Sequence, residues 1–248
     1  MRALTDLLLP HRCPCGQAAG EHPRGAPGAA LCAVCRPLLL GGPVQHVRPY
    51  PRPPGLPPCA AAAAYGGGVR RCLIAYKERG RRDLAPVLAL ALVKVLRELA
   101  PATSGTVLLV PVPPSRAALR TRGFDHVALL VRLALRMMRS RGSGRWGWSP
   151  LLYPTRSVAD QAGLPAAARA RNVAGSLSAR AATGRWSAAH SPRLVLVDDV
   201  LTSGATLAEA ARALRAGGLH THSAVVVAAV LRPITGGRSA LPSRGKTG

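Results

Sequence analysis

The 248-residue sequence predicts an α/β fold in which helices flank a mostly parallel sheet. Its most regular passage is a strand at 194–198, a helix from about 205 to 216, and a second strand at 224–231. A strand, a helix and a strand at this spacing are typical of a right-handed βαβ unit. The earlier apolar run at 106–112 has the composition of another buried strand.

Further elements are predicted, in chain order, by the periodicity of apolar residues. Small apolar residues at 60–65 favour a strand, and the apolar positions within 69–76 recur at helical spacing. A longer helix is expected at 82–99, with Pro86 in its first turn, and another at 127–138. The remaining segments are expected to be loops or to lack a clear period: the arginine-rich 115–126, then 140–150, 151–175 and 180–192.

Composition limits the classes of function. Apolar residues make up 48% of the chain, which predicts a folded protein with a sizeable core. The formal net charge of +24 would attract the phosphates of a nucleic acid. However, only three of the 34 basic residues are lysines, and the arginines are scattered without aromatic residues to stack on bases. This pattern favours a compositional bias towards arginine, and contact with single-stranded DNA stays open.

No targeting segment is evident in the sequence. The first ten residues, MRALTDLLLP, contain an acid and only a short apolar run, unlike a secretory signal. Later apolar runs such as 87–93 are far shorter than a membrane span. We therefore expect a cytoplasmic protein with no membrane span.

Two cysteine pairs near the N-terminus predict a zinc-knuckle-like segment. Cys32 and Cys35 have the two-residue gap that lets two thiolates bind one zinc ion. Cys13 and Cys15 are separated by one residue, which is a tight spacing, and His11 is an alternative ligand. The competing interpretation is a degenerate knuckle that holds no metal.

These patterns divide the chain into four parts. Residues 1–42 form the segment with the cysteine pairs, and 43–58 form a Pro-rich linker that is not expected to build a packed element. The α/β domain occupies 59–232. The tail, 233–248, is expected to be disordered.

The strand that ends at 198 leads into a predicted binding site. Asp198 and Asp199 lie at the carboxyl end of that strand, where ligands bind in open α/β sheets. Two adjacent carboxylates can accept hydrogen bonds from the vicinal hydroxyls of a ribose. The loop that follows offers hydroxyls and backbone N–H groups at a helix N-terminus, which suit a phosphate. That loop consists of Thr202, Ser203, Gly204, Ala205 and Thr206.

This segment, RLVLVDDVLTSGATL, resembles the phosphoribosyl pyrophosphate (PRPP) motif of type I phosphoribosyltransferases. Ser203 stands where that motif commonly has Thr, and the hydroxyl is kept. The alternative is an ordinary strand-to-helix turn with a capped start.

The wider chain resembles the competence-associated ComF family. Two positions depart from that family's pattern: Asp125-His126 stands where Asn-Gln is usual, and the first cysteine pair is one residue short. The matching segments are Tyr65-Gly66, 76–85, Pro111-Val112-Pro113, Arg122-Gly123-Phe124-Asp125, Gln161 to Leu164, and Arg169 with Asn172.

The resemblance implies a type I phosphoribosyltransferase fold that binds Mg²⁺–PRPP. Ser115 and Arg116 would bind the diphosphate, and Arg120 and Arg122 would lie in a mobile hood over the site. Lys77 would either contact a phosphate or lie on a helix surface.

The function implied is transfer of a phosphoribosyl group to an unknown nitrogen nucleophile, with release of pyrophosphate. The acceptor would be a base, Mg²⁺ the cofactor and Zn²⁺ the structural metal. Asp198 and Asp199 would be the catalytic residues that orient the ribose. The alternative is a non-catalytic, PRPP- or nucleotide-binding accessory protein of DNA uptake or processing, which would contact single-stranded DNA or the uptake machinery. Assembly into a homo-oligomer stays open in either case.

Overall fold

A computed structural model of the chain describes residues 12–17, 30–99, 105–139, 145–156, 166–180 and 192–231. Its strands are β1 (Gln45–Val47), β2 (Cys59–Ala64), β3 (Val107–Pro111), β4 (Trp146–Trp148), β5 (Leu152–Pro154), β6 (Leu177–Ala179), β7 (Arg193–Leu201) and β8 (Thr221–Ala229). Its helices are α1 (Cys35–Leu40), α2 (Gly67–Glu78), α3 (Ala85–Leu99), α4 (Arg116–Arg122), α5 (His126–Arg139), α6 (Ala166–Val173) and α7 (Ala205–Ala216), and a 3₁₀ turn covers Arg82–Leu84.

Six strands form the central sheet, in the order β1-β2-β8-β7-β3-β4. Every neighbouring pair is parallel except β1 and β2, which are antiparallel. The four central strands are almost continuously apolar and buried, as expected where helices cover both faces of a parallel sheet. The prediction of a mostly parallel α/β sheet is therefore confirmed.

Helices cover the sheet on both faces. On one face, α2, α3 and α5 pack with the cysteine segment around a core in which Leu88, Leu92 and Leu96 are fully buried. On the other face, α7 packs with the small β5–β6 sheet, and Leu207 and Leu214 of α7 are buried there. This arrangement leaves the carboxyl ends of the parallel strands open to a pocket.

The segment 115–126, predicted to be a loop, contains the helix α4 instead. No residue of α4 is buried, so apolar periodicity could not reveal it. The helix is held at its ends: the Ser115 side chain accepts a hydrogen bond from the N–H of Ala118 at 3.1 Å, and Gly123 ends it in the left-handed conformation. Arg120 and Arg122 thus lie on a helix and not in a hood loop.

Two other loop predictions are also wrong. Trp146 and Trp148 belong to β4, a short edge strand beside β3, and Trp146 is buried. The Pro-rich segment contains β1, which pairs with β2 and buries Val47. An edge strand this short makes few hydrogen bonds, so its sequence carries little periodic signal.

The βαβ unit agrees best with prediction. Helix α7 has the predicted bounds. Strand β7 extends beyond its predicted range mainly at its C-terminal end, and β8 begins three residues before its predicted start. Residues 151–175, where no period was found, contain β5 and α6. His11, Gln161 and the tail 233–248 lie outside the described residues.

At Gly68, α2 packs closely against the cysteine segment. A Cβ atom added to Gly68 would lie 2.6 Å from the Sγ of Cys35. We expect Gly68→Ala to lower the free energy of unfolding by about 1–2 kcal/mol, because overpacking outweighs the better helix propensity of alanine. Urea denaturation measures this change.

Gly42→Ala is the control, because a Cβ there meets no atom within 4 Å. Its effect should stay within about 0.5 kcal/mol. Equal stabilities for the two variants would contradict the close packing of α2 on Cys35.

Candidate functional site

A pocket of about 470 Å³ opens at the carboxyl ends of β2, β3 and β7. Tyr65 follows β2, the residues from Val112 to Ser115 follow β3, and Asp198 to Thr206 end β7 and lead into α7. Parallel strands place their carboxyl ends at one edge of the sheet, so these segments meet although they are far apart in sequence. Helices α2, α4, α5 and α6 and the β5–β6 sheet supply the remaining walls.

Asp199 is the most constrained acid in the pocket. It is only 3% exposed, and its Oδ2 lies 3.2 Å from the Nζ of Lys77 and 3.3 Å from the Nε2 of His126. Lys77 belongs to α2, and His126 is the first residue of α5. A buried carboxylate is stable only when a charged or hydrogen-bonding partner compensates the loss of water, and Lys77 and His126 supply that compensation.

Asp198 is bound differently. Its Oδ1 accepts a hydrogen bond from the backbone N–H of Asp199 at 2.8 Å, and part of the residue is exposed to the pocket. Because it alternates with Asp199 along the strand, it lies on the other side of the backbone. The two acids therefore occupy distinct environments.

The two acids consequently have opposite pKa shifts. Its deep position in the fold raises the pKa of Asp198 well above its usual range, and the neighbouring charge of Asp199 adds to the rise. Burial also acts to raise the pKa of Asp199, but Lys77 and His126 outweigh it and hold that pKa well below its usual range. The charge of Asp199 raises the pKa of Lys77 in turn. The fold thus favours the ionised form of Asp199 and disfavours ionisation of Asp198.

The loop from Thr202 to Thr206 has the geometry of an anion cradle. Gly204 has φ +80°, a left-handed conformation that L side chains rarely adopt, and α7 begins at the next residue. No side chain caps α7 at Gly204, and the Ser203 hydroxyl accepts only a long hydrogen bond, 3.5 Å, from the N–H of Ala205. The first turn therefore keeps N–H groups that a ligand can bind. Thr202 and Thr206 line the pocket.

The segment after β3 forms the facing wall. The N–H of Val112 donates to the carbonyl of Val197 at 2.9 Å, which fixes this segment beside β7. Ser115 and Arg122 line the pocket, and the Arg122 side chain is 12% exposed. Arg116 and Arg120 are exposed and do not line it.

His126 is the functional residue that sequence reasoning missed. In the sequence, His126 stands out only as a departure from the family pattern, with no sign of a place in the site. The structure places it against Asp199, and its backbone carbonyl accepts a hydrogen bond from the Tyr76 hydroxyl at 2.7 Å. Burial, with the charge of Asp199, raises the pKa of Tyr76 above its usual range, so this hydroxyl remains a donor.

Phe124 packs and does not face the pocket. Its ring lies edge-on to Tyr76, with the centroids 5.8 Å apart, and the Arg82 guanidinium lies 4.3 Å above it. Asp125 accepts a hydrogen bond from the N–H of Ala128 at 2.9 Å and so caps α5. Arg169 and Asn172 belong to α6.

Four cysteine thiols converge in a second candidate site. The Sγ atoms of Cys13, Cys15, Cys32 and Cys35 all lie within 4.8 Å of one another, so they could hold a metal ion such as zinc. The one-residue gap in the first pair does not prevent this convergence.

The electrostatics of the cluster suit a metal. At Cys32 burial is outweighed by backbone N–H donors, including that of Cys35 at 3.4 Å, which lower the pKa of Cys32 to about 6. Burial and the neighbouring thiols raise the pKa values of Cys13 and Cys35. A cation between the thiolates would remove this mutual penalty.

No protein-family model and no curated protein matches the chain. Among the described residues, no helix is long and apolar enough to cross a membrane. The site is therefore defined by its own geometry: an α/β pocket that joins two unequal carboxylates, a helix N-terminus and basic side chains.

The opposite pKa shifts predict opposite effects on stability. At pH 7.5, Asp198→Asn should raise the free energy of unfolding by about 1 kcal/mol, because it removes a carboxylate whose ionisation opposes folding. Asp199→Asn should lower it by roughly 2 kcal/mol, because Lys77 and His126 lose their partner. That value is below the range for fully buried pairs, since Lys77 is partly exposed.

Urea denaturation at several pH values measures both effects. The contribution of Asp199 is present above the pKa of an unfolded aspartate and is lost as the pH falls below it. The penalty from Asp198 disappears in the same direction, so both differences should shrink towards pH 3. If Asp198→Asn and Asp199→Asn changed the free energy of unfolding in the same direction at pH 7.5, the two acids could not occupy the unequal environments described.

Metal content tests the thiol cluster. Protein purified without chelators should contain about one zinc ion per chain, and Cys35→Ser should remove most of it. Cys59→Ser is the matched control, because Cys59 is buried elsewhere and donates to the carbonyl of Pro57. Elemental analysis that finds no metal in the unaltered protein would contradict the assignment.

Proposed function

We propose that the pocket binds phosphoribosyl pyrophosphate and that the protein transfers its phosphoribosyl group to a nitrogen nucleophile. One observation carries the proposal: Asp198 and Asp199 lie beside the uncapped N-terminus of α7 in one pocket. The first feature suits a vicinal diol and the second suits a phosphate. A ribose 5-phosphate contains both groups at a fixed spacing.

The ribose would lie over the two acids. The position of Asp199 is fixed by Lys77 and His126, so its remaining oxygen can accept a hydrogen bond from a ribose hydroxyl without reorganisation. Asp198 is held by the N–H of Asp199. The carboxylates would also stabilise positive charge that develops at the anomeric carbon.

The phosphates would lie on two sides of the ribose. The N–H groups at the start of α7, with Thr202 and Thr206, favour the 5-phosphate. Ser115 and Arg122 line the opposite wall and suit the diphosphate by hydrogen bonding and charge. Magnesium would be bound mainly by diphosphate and ribose oxygens and by water, because Asp199 already faces two basic groups.

The proposed transfer is a substitution at the anomeric carbon. The bond from that carbon to the diphosphate oxygen breaks, and its electron pair leaves with pyrophosphate. A bond to the acceptor nitrogen forms, and the acceptor loses one proton to solvent or to the departing group. The protein contributes by fixing the ribose and by neutralising the diphosphate.

Isothermal titration with PRPP and Mg²⁺ tests the site. Asp198→Asn and Asp199→Asn should each weaken PRPP binding about tenfold or more, because each replaces a carboxyl oxygen that accepts a hydrogen bond with an amide N–H₂ that cannot accept one. Asp83→Asn is the control: Asp83 pairs with Arg81 away from the pocket, and its loss should leave the affinity unchanged. Binding to both site variants with the affinity of the unaltered protein would contradict the proposal.

Pyrophosphate release with a panel of nitrogenous bases tests the transfer. Release that depends on both PRPP and a base would support the enzyme. Binding without release across the whole panel would refute transfer and favour a non-catalytic, PRPP-binding accessory protein.

A further inference from the structure

His126 makes contacts on both sides of its ring. Its Nδ1 lies 3.2 Å from Nη1 of Arg122, and its Nε2 lies 3.3 Å from Oδ2 of Asp199. Arg122 lines the wall proposed for the diphosphate, whereas Asp199 lies under the proposed ribose. The imidazole therefore spans the two halves of the site.

The chemistry of Arg122 determines the tautomer of His126. A guanidinium only donates hydrogen bonds, so Nδ1 must be the unprotonated acceptor. The neutral ring then carries its proton on Nε2, the nitrogen that faces Asp199. The Nε2–H donor therefore faces the ionised Asp199, and the Nδ1 acceptor faces the positively charged Arg122.

Burial and contacts with neighbouring side chains fix the position of the His126 ring. The His126 side chain is 5% exposed, and the Tyr76 hydroxyl binds its carbonyl. Arg122 is also held from its other side, by Glu78 at 3.6 Å. Lys77 contacts the same Asp199 oxygen as His126 but belongs to a different helix.

The contact with Asp199 is close but not aligned. Within the described part of the chain, neither His126 Nε2 nor Asp199 Oδ2 has a well-aligned hydrogen bond, and both atoms are buried. Hydrogen bonds of functional groups are often long or poorly aligned without ligand and tighten when it binds. Two buried polar atoms at the base of a pocket indicate such an arrangement.

We infer that His126 is a positioning residue that links Arg122 of the diphosphate wall to the ribose acid Asp199 through a neutral, Nε2-protonated imidazole. The inference rests on the proposed function. His126 touches no substrate in this role. It orients Asp199 for the ribose hydroxyls and keeps Arg122 directed into the pocket.

Two substitutions separate this role from simple packing. His126→Gln keeps an amide N–H for Asp199 and a carbonyl for Arg122, whereas His126→Leu fills the space without either group. We expect His126→Leu to weaken PRPP binding about tenfold to a hundredfold, and His126→Gln to stay within about threefold of the unaltered protein. His220→Leu is the matched control, because His220 is exposed and lies before β8, at the opposite end of the sheet.

The tautomer is measured without any ligand. Long-range ¹H–¹⁵N spectra of histidine-labelled protein should show one neutral ring with its proton on Nε2, and the signal should be absent from His126→Gln. In Arg122→Met, whose side chain cannot donate to Nδ1, the spectrum should show a mixture of tautomers. Thermal unfolding of each variant establishes that it is folded before its affinity is compared.

The outcomes distinguish the inference from the proposed function. An Nδ1-protonated ring, or a folded His126→Leu that binds PRPP as the unaltered protein does, would overturn the inference alone. Equal losses in His126→Gln and His126→Leu would overturn it as well, because the hydrogen bonds would then not be the cause. Absence of PRPP binding by the unaltered protein would refute the proposed function and, with it, the positioning role.

Discussion

One carboxylate oxygen holds the site together. Oδ2 of Asp199 meets Lys77 from α2 and His126 from α5, at the end of the central strand β7. These partners lie 122 and 73 positions earlier in the chain, so only the folded protein can bring them to one atom. A buried charge requires such partners, and meeting that requirement fixes the relative positions of three elements around the pocket.

Helix α2 extends this constraint to the thiol cluster. Gly68, Cys72 and Tyr76 follow at four-residue spacing and form one stripe of the helix. Gly68 packs on Cys35, nearby thiols add to the effect of burial in raising the pKa of Cys72 to about 12, and Tyr76 binds α5. Lys77 lies beside this stripe and faces the pocket. The cysteine segment therefore packs against the helix that positions a site residue.

The sequence predicted what depends on local pattern. The βαβ unit was predictable because β7, α7 and β8 bury continuous apolar faces, and the cysteine pairs because thiols at short spacing form a restricted chemical pattern. Helix α4 was not predictable, because it buries nothing and depends on the Ser115 cap and on Gly123. The role of His126 depends on Asp199, which periodicity cannot relate to it. The sequence thus pointed to the strand that carries the two acids, but not to the helix that places His126 against them.

The unequal environments of Asp198 and Asp199 show why this pocket lowers the stability of the folded protein. Placing two carboxylates together in a buried position would be unfavourable, and the fold resolves this by pairing only one of them. Ionisation of Asp198 remains unfavourable. Oδ2 of Asp199 and Nε2 of His126 lie close together but form no well-aligned hydrogen bond. A ligand with two hydroxyls and flanking phosphates would satisfy these groups together, so free energy lost in folding would be recovered on binding. A strand-to-helix turn without a ligand would bear this cost with no compensation, and this supports the proposal that the acid pair binds a ligand.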